Sequence, residues 1–442
     1  MGLRAQNNPN NPFEDIFSST GTNAAGARAA PTGWNGTGAS GGTTYDYTSP
    51  EGEYRIHKFT STSATPFSAP AAFDRKIKYI IVGGGGGGSS PDHDGGGGAG
   101  GGGAGALHDL TDGDHLTGSG IDLTGPFNFN VTCGAGGNGG FVPAPTGDGD
   151  GAPGGIANGG TWQGSDGGDT TVAFPTGTIT AAGGGCGGYS TPPPGPPTTM
   201  RYGRPGGSGG GAALYTPNLG GTASGAPFPG TPGDSPPAGW GGAGGRGGTD
   251  PNPHPPMNPF YMAGGGGGAG GDGRDGGDGS VSYPSPPDGA TPPDVNWKVS
   301  GRGGLGYQIP VIFQDPSNVL FKGPSGPDHW LAGGGGGGIY KRTPDPQDSI
   351  PAPYCAGGGG GLLAALPLHP EYPFPGGQGW AGAGSGGVGA TPSQGGSPMV
   401  DGTSANANSG SGGGAGAGGK SPTKSSGDGG TGIVLLAYCI DT

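Results

Sequence analysis

The octapeptide Gly414-Ala415-Gly416-Ala417-Gly418-Gly419-Lys420-Ser421 satisfies the phosphate-loop pattern G-x-x-x-x-G-K-[ST] at every position. Such a loop cradles phosphates when a strand precedes it and a helix follows whose N-terminus faces the anion. Pro422 and more glycine follow here. With 119 glycines in the chain, this match and the many G-x-G-x-x-G matches are products of composition. His108-Asp109, Asp112, Asp114 and His115 form an acid and imidazole group of the kind that holds a cation. Asp148 with Asp150, and the set Asp272, Asp275 and Asp278, resemble glycine-aspartate calcium repeats in spacing. Those repeats also need a recurring apolar position to build a roll around the ion, and it is missing, so turn and solvent roles are expected. No Ser-His-Asp or paired-carboxylate arrangement is legible. Cys133, Cys186, Cys355 and Cys439 stand singly, without a C-x-x-C pair, and are expected to be small buried apolar residues. The expectation is therefore no catalytic residue, no metal and no cofactor.

Aromatics in the connections have the better claim on binding. Tyr189, Tyr202, Phe228, Tyr283, Tyr340, Tyr372 and Phe374 lie in proline-braced stretches, where rigid rings suit stacking on sugars or packing on protein side chains. The competing reading makes such rings lids over the glycine runs. It is favoured for Trp240, Phe260 and Trp297, which adjoin glycine blocks.

The elements that must position these rings are dominated by glycine. Tyr79-Ile80-Ile81-Val82 opens Gly83 to Gly88, Tyr261-Met262-Ala263 opens Gly264 to Gly268, Trp330-Leu331-Ala332 opens Gly333 to Gly338, and Tyr354-Cys355-Ala356 opens Gly357 to Gly361. Tyr79, Tyr261, Trp330, Tyr354 and, in the last apolar run, Tyr438 are expected to be structural anchors. With 49 prolines added to the glycines, composition alone points to disorder. Two features oppose it: only 11% of residues are charged, and the apolar anchors sit at the mouths of the runs. An ordered glycine run must offset the large entropy loss of Gly. A polyproline-II-like helix, with three residues per turn and no internal hydrogen bonds, does so if its outward N–H and C=O groups pair with neighbouring chains. Strict Gly-X-Y is absent, so single-chain polyglycine-II helices folded back on one another are expected, not collagen.

The expected fold class is mostly irregular and β: a small antiparallel β segment, a bundle of packed polyglycine-II helices, and a closing C-terminal strand. Residues 1–45 read as an extended polar arm and 46–82 as a small β module, with Ile77, Tyr79 and Ile81 on one face and Ile80 and Val82 on the other. Residues 83–442 form the glycine-rich domain with Pro- and aromatic-rich loops. Its last strand, 433–440, is apolar on both faces and is expected to be buried and to pair with 77–82. A formal charge of -13 argues against a nucleic-acid partner, which needs a basic face. No run of 18 apolar residues occurs, so no membrane insertion is expected, and no secretory signal is visible at the N-terminus.

The opening Tyr79 to Gly88, the repeated alanine-then-glycine blocks and the terminal Gly430-Thr431-Gly432-Ile433-Val434-Leu435-Leu436-Ala437-Tyr438 give the chain a family resemblance. It resembles glycine-rich domains of bacteriophage tail-fibre and other virion surface proteins. Its plan is similar to distal tail-fibre adhesins whose tip is a polyglycine-II sandwich. The resemblance implies a non-enzymatic virion protein, made in the host cytoplasm and carried on the particle. It also implies loops at one end that bind a host glycan or outer-membrane protein. Residues 1–45 would dock to other virion proteins, with a homotrimer as one assembly. Other classes are a capsid decoration or fibre spacer without receptor binding, an ice-binding protein, and a polysaccharide-cleaving fibre.

Overall fold

The computed structural model describes residues 38–91, 99–110, 121–123, 125–142, 162–189, 201–213, 220–227, 237–249, 260–278, 298–323, 328–341, 381–386, 388–389, 401–416 and 424–440. These residues are mostly strands and irregular segments, without an α-helix. Nine strands have four residues or more: β1 (Thr43–Ser49), β2 (Gly52–Phe59), β3 (Thr65–Ala69), β4 (Lys76–Val82), β5 (Leu107–Leu110), β6 (Phe127–Thr132), β7 (Thr170–Phe174), β8 (Gly177–Ala181) and β9 (Ile433–Cys439).

Two tight hairpins follow directly from local chemistry. Ser49-Pro50-Glu51-Gly52 joins β1 to β2, and Phe174-Pro175-Thr176-Gly177 joins β7 to β8. Each has Pro at the second position, where φ near -65° is wanted, and Gly at the fourth. Gly52 and Gly177 have φ of 133° and 148°, which a Cβ would disfavour.

The first sheet has the order β1-β2-β9-β4-β5, with Ile121–Asp122 added against the start of β4, and is antiparallel throughout. The second has the antiparallel order β8-β7-β6-β3. The C-terminal strand pairs with β4, Ile433 opposite Val82 and Leu436 opposite Tyr79. It also pairs with β2, Ile56 opposite Ala437. It therefore lies between strands of the N-terminal segment, and β3 of that segment belongs to the other sheet.

This central position explains the apolar character of β9 on both faces. One face, with Ile77, Tyr79 and Ile81 of β4 and Val434, Leu436 and Tyr438 of β9, packs on Phe67, Phe129, Val172 and Phe174 of the second sheet. The rings interlock: Phe67 stacks on Phe129 with centroids 5.0 Å apart, and Phe73 meets Tyr438 edge-on at 5.1 Å. The other face, with Tyr54, Ile56, Ile80 and Val82, packs on Tyr307, Ile309, Ile312 and Phe313 from a single turn of 3-10 helix and its flanks.

From the ends of these strands the chain passes directly into glycine segments. Residues 83–90 continue β4, 99–106 lead into β5, 134–140 leave β6, and 427–432 enter β9. Their hydrogen bonds repeat every three residues. In 83–90, the amides of Gly83, Gly86 and Ser89 donate to Ala106, Gly103 and Gly100. Those of Gly84, Gly87 and Ser90 donate to Gly168, Ser165 and Trp162, and those of Gly85 and Gly88 to Gly430 and Gly427. All three acceptor segments run antiparallel to the donor. The carbonyls of the same run accept from Gly184 and Gly187, from Gly137 and Gly140, and from Gly413 and Gly416, three segments that run parallel to it. One run thus has six neighbours and leaves no gap for a side chain. A Cβ on Gly85, Gly86, Gly87 or Gly88 would lie under 3.0 Å from a backbone oxygen. Alanine enters where a segment meets the apolar core, as at Ala104, Ala269 and Ala332.

Gly102 and Gly271 form a matched test of this packing. A Cβ on Gly102 would be driven into the Gly86 carbonyl, whereas one on Gly271 meets no atom within 4 Å. Gly102→Ala is expected to destabilise the fold by about 3 kcal/mol or more, and Gly271→Ala by less than about 1 kcal/mol, in denaturant unfolding.

Candidate functional site

Register arithmetic along the glycine segments separates the two ends of the molecule. At the sheet end lie Val82, Leu107, Thr170, Ala181 and Ile433. At the remote end the amide of Ser90 donates to Trp162, Gly100 to Gly188, Gly188 to Gly211, Ala212 to Gly245 and Gly338 to Ala99. Short strand pairs also sit there: Phe141–Val142 with Lys424–Ser425, Phe260–Met262 with Ile339–Lys341, and Gly277–Asp278 with Lys298–Val299. The chain enters and leaves eight of the undescribed stretches at this end: 92–98, 143–161, 190–200, 214–219, 250–259, 279–297, 390–400 and 417–423. It departs from this end at Lys341 for 342–380 and rejoins the frame at Ala381, beside Lys322 and Ser411 at the sheet end.

The candidate aromatics fall into three groups against this frame. Tyr189 is only 7% exposed and its ring lies 5.9 Å from that of Trp162, so it closes the end of a glycine segment instead of offering a face to solvent. Tyr202 is half-buried at the remote end, between Arg201 and the lattice residue Gly203. Tyr340 stands in the remote strand pair, its backbone opposite Tyr261. Phe228, Tyr283, Tyr372 and Phe374 lie outside the described residues, as do Tyr354 and Cys355. Among the anchors, Tyr79 and Tyr438 are buried between the sheets. Trp330 pairs through its backbone with Gln308 at the sheet end, and Tyr261 opens its run from the remote end. Aromatic-then-glycine spacing therefore marks both ends. Cys133, Cys186 and Cys439 are buried and form no disulfide among the described residues, and burial pushes the Cys133 thiol up to about 12.

The chemical motifs resolve differently. The first amides of the phosphate-loop match are already engaged: Gly414 donates to Thr403, Ala415 to Gly336 and Gly416 to Ser89. They are turned to neighbouring segments and cannot converge on a phosphate; Lys420 and Ser421 lie outside the described residues. His108 and Asp109 are buried in β5, while Asp112, Asp114 and His115 lie outside the described residues. Asp109 accepts from the Tyr307 hydroxyl at 2.6 Å and from Trp240 Nε1 at 3.0 Å. It thus ties the first sheet to two connections, and the lid reading of Trp240 fits its 8% exposure. Nothing in the spacing of Asp109, Trp240 and Tyr307 announces this triad.

The every-third aspartates are edge groups. Asp272 Oδ1 accepts from the Ala243 amide at 2.7 Å and Asp275 Oδ1 from the Arg246 amide at 2.6 Å. Asp166 and Asp169 do the same for Cys186 and Gly183 at 2.9 Å each. Three-residue spacing on one segment matches three-residue spacing on the next. Where no further backbone supplies a carbonyl, a carboxylate does. Asp148 and Asp150 lie outside the described residues. Among the described residues no group of three or more His, Cys, Asp or Glu is placed to hold a metal, and no helix is long and apolar enough to cross a membrane. Comparison with protein-family models, curated proteins and solved structures gives no match.

Two expectations follow. Asp275→Ala strands the Arg246 amide at an exposed edge and should lower stability by about 0.5–1.5 kcal/mol, whereas Asp275→Asn, which keeps an acceptor oxygen, should cost far less in the same denaturant titration. Burial lowers the pKa of His57 and of His108 below the ordinary 6.5, partly offset by hydrogen bonds to Gly41 and Thr180. The unfolded chain therefore takes up protons first on acidification. The imidazole contribution to stability is complete above about pH 6.5 and is lost as pH falls from there toward the lowered values, by up to about 1.4 kcal/mol per imidazole per pH unit. Denaturant midpoints measured between neutral and mildly acidic pH should drop accordingly; a flat profile would contradict the burial of these rings as neutral groups.

Proposed function

We propose that the chain is a structural protein of a bacteriophage virion, a tail-fibre tip or surface fibre, without enzymatic activity. It binds a host-surface glycan or outer-membrane protein through connections between polyglycine-II helices. The observation that carries this reading is that eight connections leave and return at one end of a glycine scaffold whose other end is clamped by two sheets. Binding residues are disproportionately found on loops held by a rigid support, and the connections are rich in proline and aromatics.

The polyglycine-II assignment is supported by the three-residue repeat of the hydrogen bonds and by their being made between distant segments instead of within one. Six-neighbour packing without a Cβ suits a bundle of such helices. In this reading residues 1–45 dock to other virion proteins, and a trimer is one assembly that would present the connections together. The protein is made in the host cytoplasm and functions on the particle. A second reading, an architectural capsid decoration or fibre spacer, is favoured by the same rigid scaffold if the connections contact only other subunits.

Residues 190–200 provide the test. Tyr189 and Arg204 are part of the hydrogen-bonded or packed frame, Arg204 donating its amide to Cys186 at 3.0 Å, so the replacement must stop short of both. Exchanging 190–200 for a Gly-Ser linker of equal length should leave the thermal unfolding transition in place and largely abolish adsorption of particles to host cells. Unchanged adsorption, with the protein imaged on the capsid or along a shaft, would favour the architectural reading.

A further inference from the structure

Three outer segments, 239–248, 271–278 and 298–306, lie side by side. The Gly276 amide donates to the Arg246 carbonyl and the Arg274 amide to the Arg302 carbonyl, both at 2.8 Å. This register puts Arg246, Arg274 and Arg302 at one level on neighbouring segments. Arg246 and Arg274 are exposed and make no ion pair among the described residues, and Arg302 is half-buried beside them. One three-residue step toward the sheets, the corresponding positions are Ala243, Gly271 and Leu305, held in line by the Gly270 amide on Leu305 and the Gly273 amide on Ala243. Gly271 leaves open space, with no atom within 4 Å of where its Cβ would be, and Leu305 beside it is 40% exposed. A row of three arginines thus stands above a shallow step with an apolar rim.

We infer that this face docks an acidic polysaccharide, its carboxylates on the arginines and a sugar face against Leu305. Guanidinium groups recognise carboxylates through two parallel N–H donors, and Arg246 and Arg274, exposed and without an ion pair among the described residues, offer those donors as a local cationic patch on a chain whose net charge is -13. The same overall charge repels a dense phosphate backbone. Asp272 and Asp275 share the neighbourhood, each with one oxygen held by a backbone amide, and they temper the local potential further. Sparse carboxylates, about one per sugar, suit such a surface better than closely spaced phosphates. The inference does not rest on receptor binding by the connections at the remote end, which the variants below leave intact.

The test is retention of the full-length protein on immobilised polygalacturonate, with dextran and polyphosphate as parallel surfaces, at low and high salt. The wild type should bind polygalacturonate best and lose it at high salt. R246Q/R274Q should bind roughly tenfold more weakly. K58Q/K322Q, an equal charge change at the sheet end, should bind as the wild type does. R246K/R274K, which keeps the charge but loses the fork, should fall between, and soluble polygalacturonate should compete the wild type off the surface. Equal retention of the wild type on dextran, stronger retention on polyphosphate, or an equal loss in K58Q/K322Q would each overturn the inference.

Discussion

Every main-chain N–H and C=O in the glycine segments must be paired, and none can be paired within its own segment. That requirement governs the rest of the molecule. The amides of 83–90 reach three antiparallel partners in turn and its carbonyls three parallel ones, so the six neighbours are specified by hydrogen bonding before any side chain is considered. An unpaired buried amide costs free energy comparable to a lost hydrogen bond. The spacing between segments is consequently so small that a carbonyl oxygen occupies the place of a Cβ. Glycine is a requirement of that geometry and not a concession to flexibility.

A scaffold of this kind has little apolar surface with which to offset the ordering of so many glycines. The two sheets supply what it lacks. Their shared core of Phe67, Phe129, Phe174 and Tyr438, and the second core around Tyr54, Ile56 and Phe313, are conventional in composition. The strands run straight into the glycine segments, so a register set at Ile433 opposite Val82 is carried onward to Gly430 and Gly85. Side-chain packing decides the alignment at one end and main-chain bonding propagates it. Because the paired segments are far apart in the chain, the fold is dominated by non-local contacts, which makes folding slow in principle.

The same logic pushes chemistry to the boundary. Within the glycine scaffold, polar side chains act as substitutes for backbone: Ser426 donates to the Gly88 carbonyl at 2.7 Å, and Thr170 accepts from Gly134 at 2.8 Å while donating to Val82 at 2.7 Å. At the edges, Asp166, Asp169, Asp272 and Asp275 end the network by accepting the last amides. Charged side chains therefore sit mostly on the outside of the scaffold, on outer segments such as 271–278 and on the edge strand of the first sheet.

Much of this was legible in the residues. Alternation in Ile77 to Val82 gave the two faces of β4, the two-sided apolarity of 433–440 gave a buried strand and its partner, and Pro-x-Gly spacing gives both hairpins. Pure glycine runs behind apolar anchors pointed to tight main-chain pairing. These features are local, and local periodicity and turn chemistry act over a few residues. Glycine has no side chain and so carries no address: nothing in Gly83 to Gly88 says which six segments will surround it. Tertiary structure alone decided those partners, placed Tyr189 inside, joined Asp109 to Trp240 and Tyr307, and gave Asp272 and Asp275, expected to serve turns and solvent, the amides of a neighbouring segment to cap. It decided them because the distinguishing interactions are between backbones tens to hundreds of residues apart, which are chemically identical until the strands at their ends bring a particular pair into register.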